Sequence, residues 1–369
     1  MNSLYIKARM VEDDRERDLV IVDGTIVDAD PVPGREPDAA GWVLPGLVDL
    51  HNHLSLASPA GDDVDAAVRV RASASVELAL GVLALREPGS PDDASQGLAL
   101  EDGWPRVITA GRFLAPPGGY FPGLAREVSA AELPDAVVQE IRASGGWAKI
   151  IGDFLGADGT FVANFESAVL TDAVAGAHAA GGRVAIHATS EEVVDAAVSA
   201  GVDSIEHGWA VTDRHFTSME AQGIAWIPTL FPGGSHTACE FAAGMGFADQ
   251  TLAWMKNVLD AQPGTIARAD RAGVAVLAGT DAGQGPHGTI VEQIRMIVDC
   301  GMPIQRALGA ASWTARDYLG LPGLEMGAPA DLVVYDADPR VDLDVLLRPT
   351  LIVLAGQPTR RDAAELVRD

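Results

Sequence analysis

From about residue 45 to 325 short apolar runs alternate with helical stretches, and this rhythm limits the chain to very few architectures. The runs are GLVDLHNHL (46–54), GVLALREP (81–88), VITAGRF (107–113), WAKIIGDF (147–154), RVAIHA (183–188), DSIEHG (203–208), IAWIPTL (224–230) and VAVLAGTD (274–281). Apolar strands separated by helices predict a parallel sheet covered on both faces, and eight such units predict a closed (β/α)8 TIM barrel, an α/β fold. Local signals agree with the period. SEEVVDAAVSA has Ser190 as an N-cap, acids in the first turn and Gly201 just past its end. A second helix is expected over Asp213–Gln222, ended by Gly223.

Both ends of the chain depart from this rhythm. LYIKARMV and DLVIVDGTIVDAD before residue 44, and ADLVVYDAD and TLIVLAGQ near the other end, are β-rich and bounded by turn residues. The expected organisation is therefore a small all-β sandwich domain from residues 1–44 plus 328–369, with a barrel of residues 45–327 inserted in it. In such barrels the site lies at the C-terminal ends of the strands. The Gly/Pro-rich segments 55–63, 115–123, 231–246 and 282–288 follow those ends and read as the binding loops.

The polar residues at the strand ends carry the chemistry. His51 and His53 sit two apart on one apolar run, so on a strand both imidazoles point to one face, about 6.6 Å apart along it. His187, His207 and Asp281 end three further runs. Any one of them alone fits a core histidine or a capping aspartate equally well. Five on four strand ends form the His-rich, carboxylate-containing set that zinc or a similar metal needs. Lys149 lies inside an apolar run, in a chain with only three lysines among its 26 basic residues. A desolvated lysine gives up its proton more readily than arginine can. As a neutral amine it can add carbon dioxide, and the carbamate formed could bridge two metals. A buried Lys149–Asp153 pair or a snorkelling side chain accounts for the same residue equally well.

HxH after PGLVD, a strand lysine, a strand histidine, IEHG and AGTDAG together resemble the metal-dependent amidohydrolase superfamily. PADLVVYDADP and LIVLAGQP look like the end of that family's composite β domain, so the likeness spans almost the whole chain. Within the superfamily it is most similar to the branch of imidazolonepropionase-like enzymes and related Xaa-Pro and Xaa-Arg peptidases. The resemblance implies two divalent metal ions, zinc by preference, with a one-metal site as the alternative. His51, His53 and Asp281 would hold the more buried ion, His187 and His207 the second, and carboxylated Lys149 would bridge both. The family's loop after the third strand often carries Gly-Gly-His; here APPGGYFPG offers Tyr120 instead.

The implied reaction is hydrolysis of an amide or other C–N bond, in a peptide, cyclic amide or imidazolone-like substrate. A hydroxide generated on the metal would attack, and Asp281 would act as general base and then acid. Tyr120 is the candidate donor to the carbonyl. Decarboxylase, lyase, isomerase or lactonase chemistry on the same ligand set is the alternative. His236, His287 and Trp209 are candidate substrate contacts, along with Tyr120. His178 reads as packing or as complementing a helix C-terminal dipole, and His215 as a helix-surface residue. Glu206 precedes His207 and on a regular strand faces the other way, so it reads as structural. Arg86 reads as paired with Glu87 or a neighbouring acid.

The balance of 26 Lys+Arg against 52 Asp+Glu gives a net charge of −26, which disfavours nucleic acid and anionic membranes as partners. The expected partner is a small molecule, and homo-oligomers formed through helix faces stay open. No apolar run reaches the roughly 18 residues a membrane span needs, and no secretory h-region stands at residues 1–18, so the expected location is cytoplasmic. Cys239 and Cys300 are too few for a disulfide framework.

Overall fold

A computed structural model describes residues 3–31, 33–61 and 63–359. Residues 360–369 of the expected terminal domain and Asp62 of the first loop lie outside the described residues.

The middle of the chain forms a ring of parallel segments. Leu47–Asp49 pairs with Val82–Glu87, which pairs with Arg106–Thr109. A parallel bridge between Ser90 and Arg112 leads to Phe113–Ala115, followed by Trp147–Ile151, Arg183–Ala188, Ser204–His207 and Ala225–Ile227. The last stave, 274–282, closes the ring through bridges Trp226–Val276 and Asn52–Ala282, and Leu50 donates to the Ala278 carbonyl at 3.0 Å. The sequence predicts this stave as a full strand. It makes only isolated bridges, because the backbone leaves the β region at Asp281 (φ 55°).

Helices cover the ring for the reasons legible in the sequence. Glu191–Ala200 carries Glu191 and Glu192 in its first turn and ends at Gly201 in the left-handed region (φ 74°), where a Cβ is costly. Its cap is supplied from elsewhere. Ser190 makes no side-chain cap bond of its own; instead buried Asp153 accepts from the Thr189 and Ser190 amides at 3.1 and 2.7 Å. Asp213–Gln222 stops at Gly223 as expected. His215 corrects the surface reading: it is buried, accepts from the Thr212 amide at 3.0 Å and faces Asp195 at 2.9 Å. Segment 231–246, expected as an irregular loop, holds the helix Gly234–Gly244 and leads into Asp249–Arg271. Among the described residues no helix is long and apolar enough to cross a membrane.

The chain ends meet outside the ring. Strand Leu332–Tyr335 runs antiparallel to Ala39–Pro45, which runs parallel to Ser3–Met10. These belong to one seven-stranded sheet rather than two facing sheets, with its own apolar cluster around Ile6, Ile21, Val43 and Leu332.

Candidate metal centre and substrate chamber

Each strand-end residue singled out in the sequence reaches the mouth of the ring. His51 is 1% exposed; its Nε2 lies 3.2 Å from Asp281 Oδ1, and His53 Nε2 lies 3.4 Å from the same oxygen. His51, His207 and Asp281 each offer a ligand atom within 4.8 Å of the other two. The His187 and His207 rings are 4.6 Å apart. The stave carrying Asp281 can approach this closely because of its glycines. A Cβ on Gly279 would stand 2.7 Å from His51 Cβ, and one on Gly283 2.7 Å from His53 Cβ. His207 (φ 64°) and Asp281 (φ 55°) sit in the left-handed region, strain that persists where the surroundings fix the residue.

The nitrogens turned away from the mouth are all engaged. His51 Nδ1 is 2.6 Å from Glu206 Oε2, His53 Nδ1 donates to the Gly89 carbonyl at 2.9 Å, and His207 Nδ1 is 2.7 Å from Thr229 Oγ1. That pattern fixes the ring orientations and leaves Nε2 lone pairs directed at the mouth, as metal-ligating histidines require. His187 Nε2 stands 3.4 Å from Asp153.

Glu206 corrects the structural reading. The left-handed turn at His207 breaks the strand's alternation, so both side chains serve the ring interior. Glu206 is fully buried and held by Arg86 Nη2 at 2.6 Å and Ser204 Oγ at 2.5 Å as well as by His51. Burial opposes its charge, but Arg86 and His51 hold its carboxyl well below the usual range. Arg86 is thus not paired with Glu87: it also donates to the Leu50 carbonyl at 2.7 Å and lies 4.9 Å over the Trp147 ring. Nothing but spacing was available to locate this pair, and its members are 120 residues apart.

Lys149 is 1% exposed and its Nζ has no hydrogen-bond partner. Asp153 is occupied at Thr189 and Ser190, so the buried Lys149–Asp153 pair is not formed. Burial, with the nearby Arg86 charge, pushes the amine down to about 8, although Glu206 and Asp281 favour its charged form. Asp281 is shifted the other way: burial opposes its charge, but His51, His53 and His207 hold it well below the carboxylate range. His207 is held well below the usual imidazole range by burial and by His187. A neutral His207 among converging imidazoles, an ionised carboxylate and an orphaned buried amine fit one or two divalent cations.

Above this floor is a cavity whose walls are rich in aromatic rings. Tyr120 packs 5.2 Å from both Phe113 and Phe154 and 6.5 Å from His187. Burial and the Asp281 charge raise its hydroxyl, which therefore keeps its proton at neutral pH. Trp209 lines the cavity between Phe161 and Phe231, and its Nε1 is buried with no partner. His236 and His287 are not brought to this cavity. His236 lies on the outer helix with its side chain 82% exposed, 3.5 Å from Glu240. His287 is a buried strut: Nε2 reaches the Leu56 carbonyl at 3.1 Å and Nδ1 lies 3.4 Å from Glu77. His178 bonds Asp203 at 3.0 Å on the surface.

The Amidohydrolase family model matches residues 121–359, well over half of the chain. An uncharacterised protein of Mycobacterium tuberculosis is 39% identical over 363 residues, covering 96% of this chain and 95% of the relative; one of Mycobacterium bovis matches equally. Among solved structures, a Xaa-Pro dipeptidase with bound methionine superposes with a TM-score of 0.80 at 24% identity, over 97% of this chain and 100% of the other. The ochratoxinase of A. niger superposes with a TM-score of 0.78 at 21% identity, over 97% and 95%. These likenesses show the TIM-barrel fold.

Proposed function

The chain belongs to the amidohydrolase family, enzymes that hydrolyse carbon–nitrogen bonds, and from that premise we propose that it cleaves an amide or related C–N bond of a small molecule at the mouth of its barrel. The observation that carries the reading is the convergence of His51, His207 and Asp281 within 4.8 Å at the floor of a cavity. His51, His53 and Asp281 would hold one divalent cation, zinc by preference, and His187 and His207 a second. Lys149, as a carbamate, would lie between them. When bound, such cations polarise a carbonyl and make a water acidic near neutral pH.

The chain's own groups do the rest. Asp281 is ionised and lies within 3.4 Å of both His51 and His53, so it is placed to take a proton from water and return it to the leaving nitrogen. Glu206 and the Gly89 carbonyl hold the His51 and His53 rings in place, so their Nε2 atoms need no reorganisation. Tyr120, protonated at neutral pH and beside His187, is the group placed to donate to the carbonyl oxygen as charge develops there.

Metal analysis of the purified protein tests the reading. Two equivalents of zinc per chain are expected, with extra density on Lys149 Nζ in a crystal of the loaded protein. Protein that takes up no divalent metal would overturn it.

A further inference from the structure

The site is two-sided. On the His187/His207 side lies the aromatic chamber; on the His53 side an open groove passes Ser55 and Asp92, and Tyr120, Phe121 and Gln284 border both. The chamber has ring walls in edge and tilted packing: Phe154 lies 5.0 Å from Phe121, and Phe161 5.0 Å from Phe247. Such walls favour another aromatic group.

The chamber's polar inventory is short. No lysine or arginine lines it among the described residues. The Thr189 hydroxyl is committed to Asp153 at 2.8 Å. Away from the floor its donors are the amide of Gln284, exposed at the rim, and Trp209 Nε1, buried and without a partner. A buried N–H left unpaired is costly, so a ligand with an acceptor at Trp209 is favoured. Arg69, the cation of the groove, donates to the Ser55 and Val64 carbonyls at 3.1 Å each and stands 3.6 Å from Asp92. Away from the metal-binding floor, a free carboxylate in the chamber would lose its water without meeting a counter-charge, and a chain of net charge −26 opposes the approach of anions.

Resting on the hydrolase reading above, we propose that the substrate is an uncharged aromatic amide. Its ring occupies the chamber, an acceptor on it meets Trp209 Nε1, and the other half lies along the groove. Water adds across the bond: the C–N bond breaks, carbon gains hydroxyl, nitrogen gains hydrogen, and an acid and an amine leave. The class differs from free dipeptides, which end in a carboxylate.

The test uses the metal-loaded protein and three amides: (4-methoxyphenyl)acetyl-phenylalaninamide, whose ring carries an acceptor oxygen, its free acid (4-methoxyphenyl)acetyl-phenylalanine, and acetyl-alaninamide. The uncleavable ketomethylene isosteres of all three are titrated by calorimetry in parallel. The neutral aromatic amide is expected to exceed both others by at least about tenfold in kcat/KM, and its isostere in affinity by a similar factor. Trp209→Phe, which keeps the ring surface but loses the donor, should lower both by about fivefold or more. Equal or better handling of the free acid or of acetyl-alaninamide would overturn the proposal while leaving the hydrolase reading intact. Isosteres that bind in the stated order without turnover of any amide would uphold the chamber's preference and refute the hydrolase reading.

Discussion

Two clusters of histidine and carboxylate lie side by side in this barrel, interleaved in sequence and opposite in design. One is the mouth: His51, His53, His187, His207 and Asp281. The other is a strut: Asp49, Asn52, Glu77, Thr280 and His287. In the strut most polar groups bond one another, although Asn52 Oδ1, Glu77 Oε2 and His287 Nδ1 have no hydrogen-bond partner. Asp49 accepts from the His51 amide, from Asn52 Nδ2 and from the Thr280 amide and hydroxyl, at 2.6 to 3.1 Å. Glu77 accepts from Asn52 and from the Gly288 amide, both at 2.9 Å. In the mouth each histidine engaged from behind keeps one nitrogen turned toward its neighbours. Protonation follows the same division. Burial alone would lower His287, but Glu77 and the Leu56 carbonyl raise it above the usual range, whereas His207 is held well below it. What separates the two cases is convergence, since His51, His207 and Asp281 bring ligand atoms within 4.8 Å of one another while His287 Nδ1 faces the Glu77 carboxylate at 3.4 Å, and burial by itself does not distinguish them.

The contrast can be broken experimentally. Asp281→Asn should cost about 10³- to 10⁴-fold in kcat/KM with the far-ultraviolet spectrum unchanged; activity within tenfold of the parent would remove Asp281 from proton transfer. Glu206→Ala leaves Arg86 buried without its partner and should destabilise by about 3–5 kcal/mol in denaturant titration. The same change frees His51 Nδ1 and should weaken zinc binding about 10- to 100-fold. His287→Ala should reduce stability by about 1–3 kcal/mol and leave zinc stoichiometry as it was. Its contribution should be largest below about pH 6.5 and fade as pH rises past the raised value, since the charged form is what Glu77 stabilises. Loss of zinc from that variant would merge the two clusters into one.

Glu87, outside both clusters, supplies a control. Burial raises its carboxyl to about 8, against an ordinary 4.5. The unfolded chain ionises there as pH rises through 4.5 while the folded chain holds the proton, so stability falls between about 4.5 and 8. Glu87→Gln removes that dependence. At pH 7.5 it should be more stable by about 4 kcal/mol, with the gain gone at pH 4.5.

The mouth was legible in the sequence because a strand that ends in a polar residue delivers it to a known face of a barrel. Lys149 stood out for a similar reason, as a lone ammonium in an apolar run. Alternation misled where the backbone leaves the β region: the turn at His207 brings Glu206 inward against parity, and the turn at Asp281 reduces the last stave to bridges. The aromatic chamber left no pattern to read. Phe154 and Phe161 lie on the two paired strands of one short hairpin, Trp209 and Phe247 in other connections, and the four meet only in three dimensions. His287 misled because a histidine in a Gly-rich loop carries no mark of its partner Glu77, 210 residues earlier in the chain.

The closure of the ring has a consequence for how the protein is born. His51 and His53 leave the ribosome early, but the Asp281 amide is anchored on the His51 carbonyl at 2.7 Å, and Asn52 bridges Ala282. The strand Ala39–Pro45, made before either histidine, finds its antiparallel neighbour Leu332–Tyr335 later still. A nascent chain therefore holds only part of the proposed metal centre for most of its synthesis and the whole only when the final stave arrives. A metal would find its full set of ligands only once residue 281 has emerged and joined the ring.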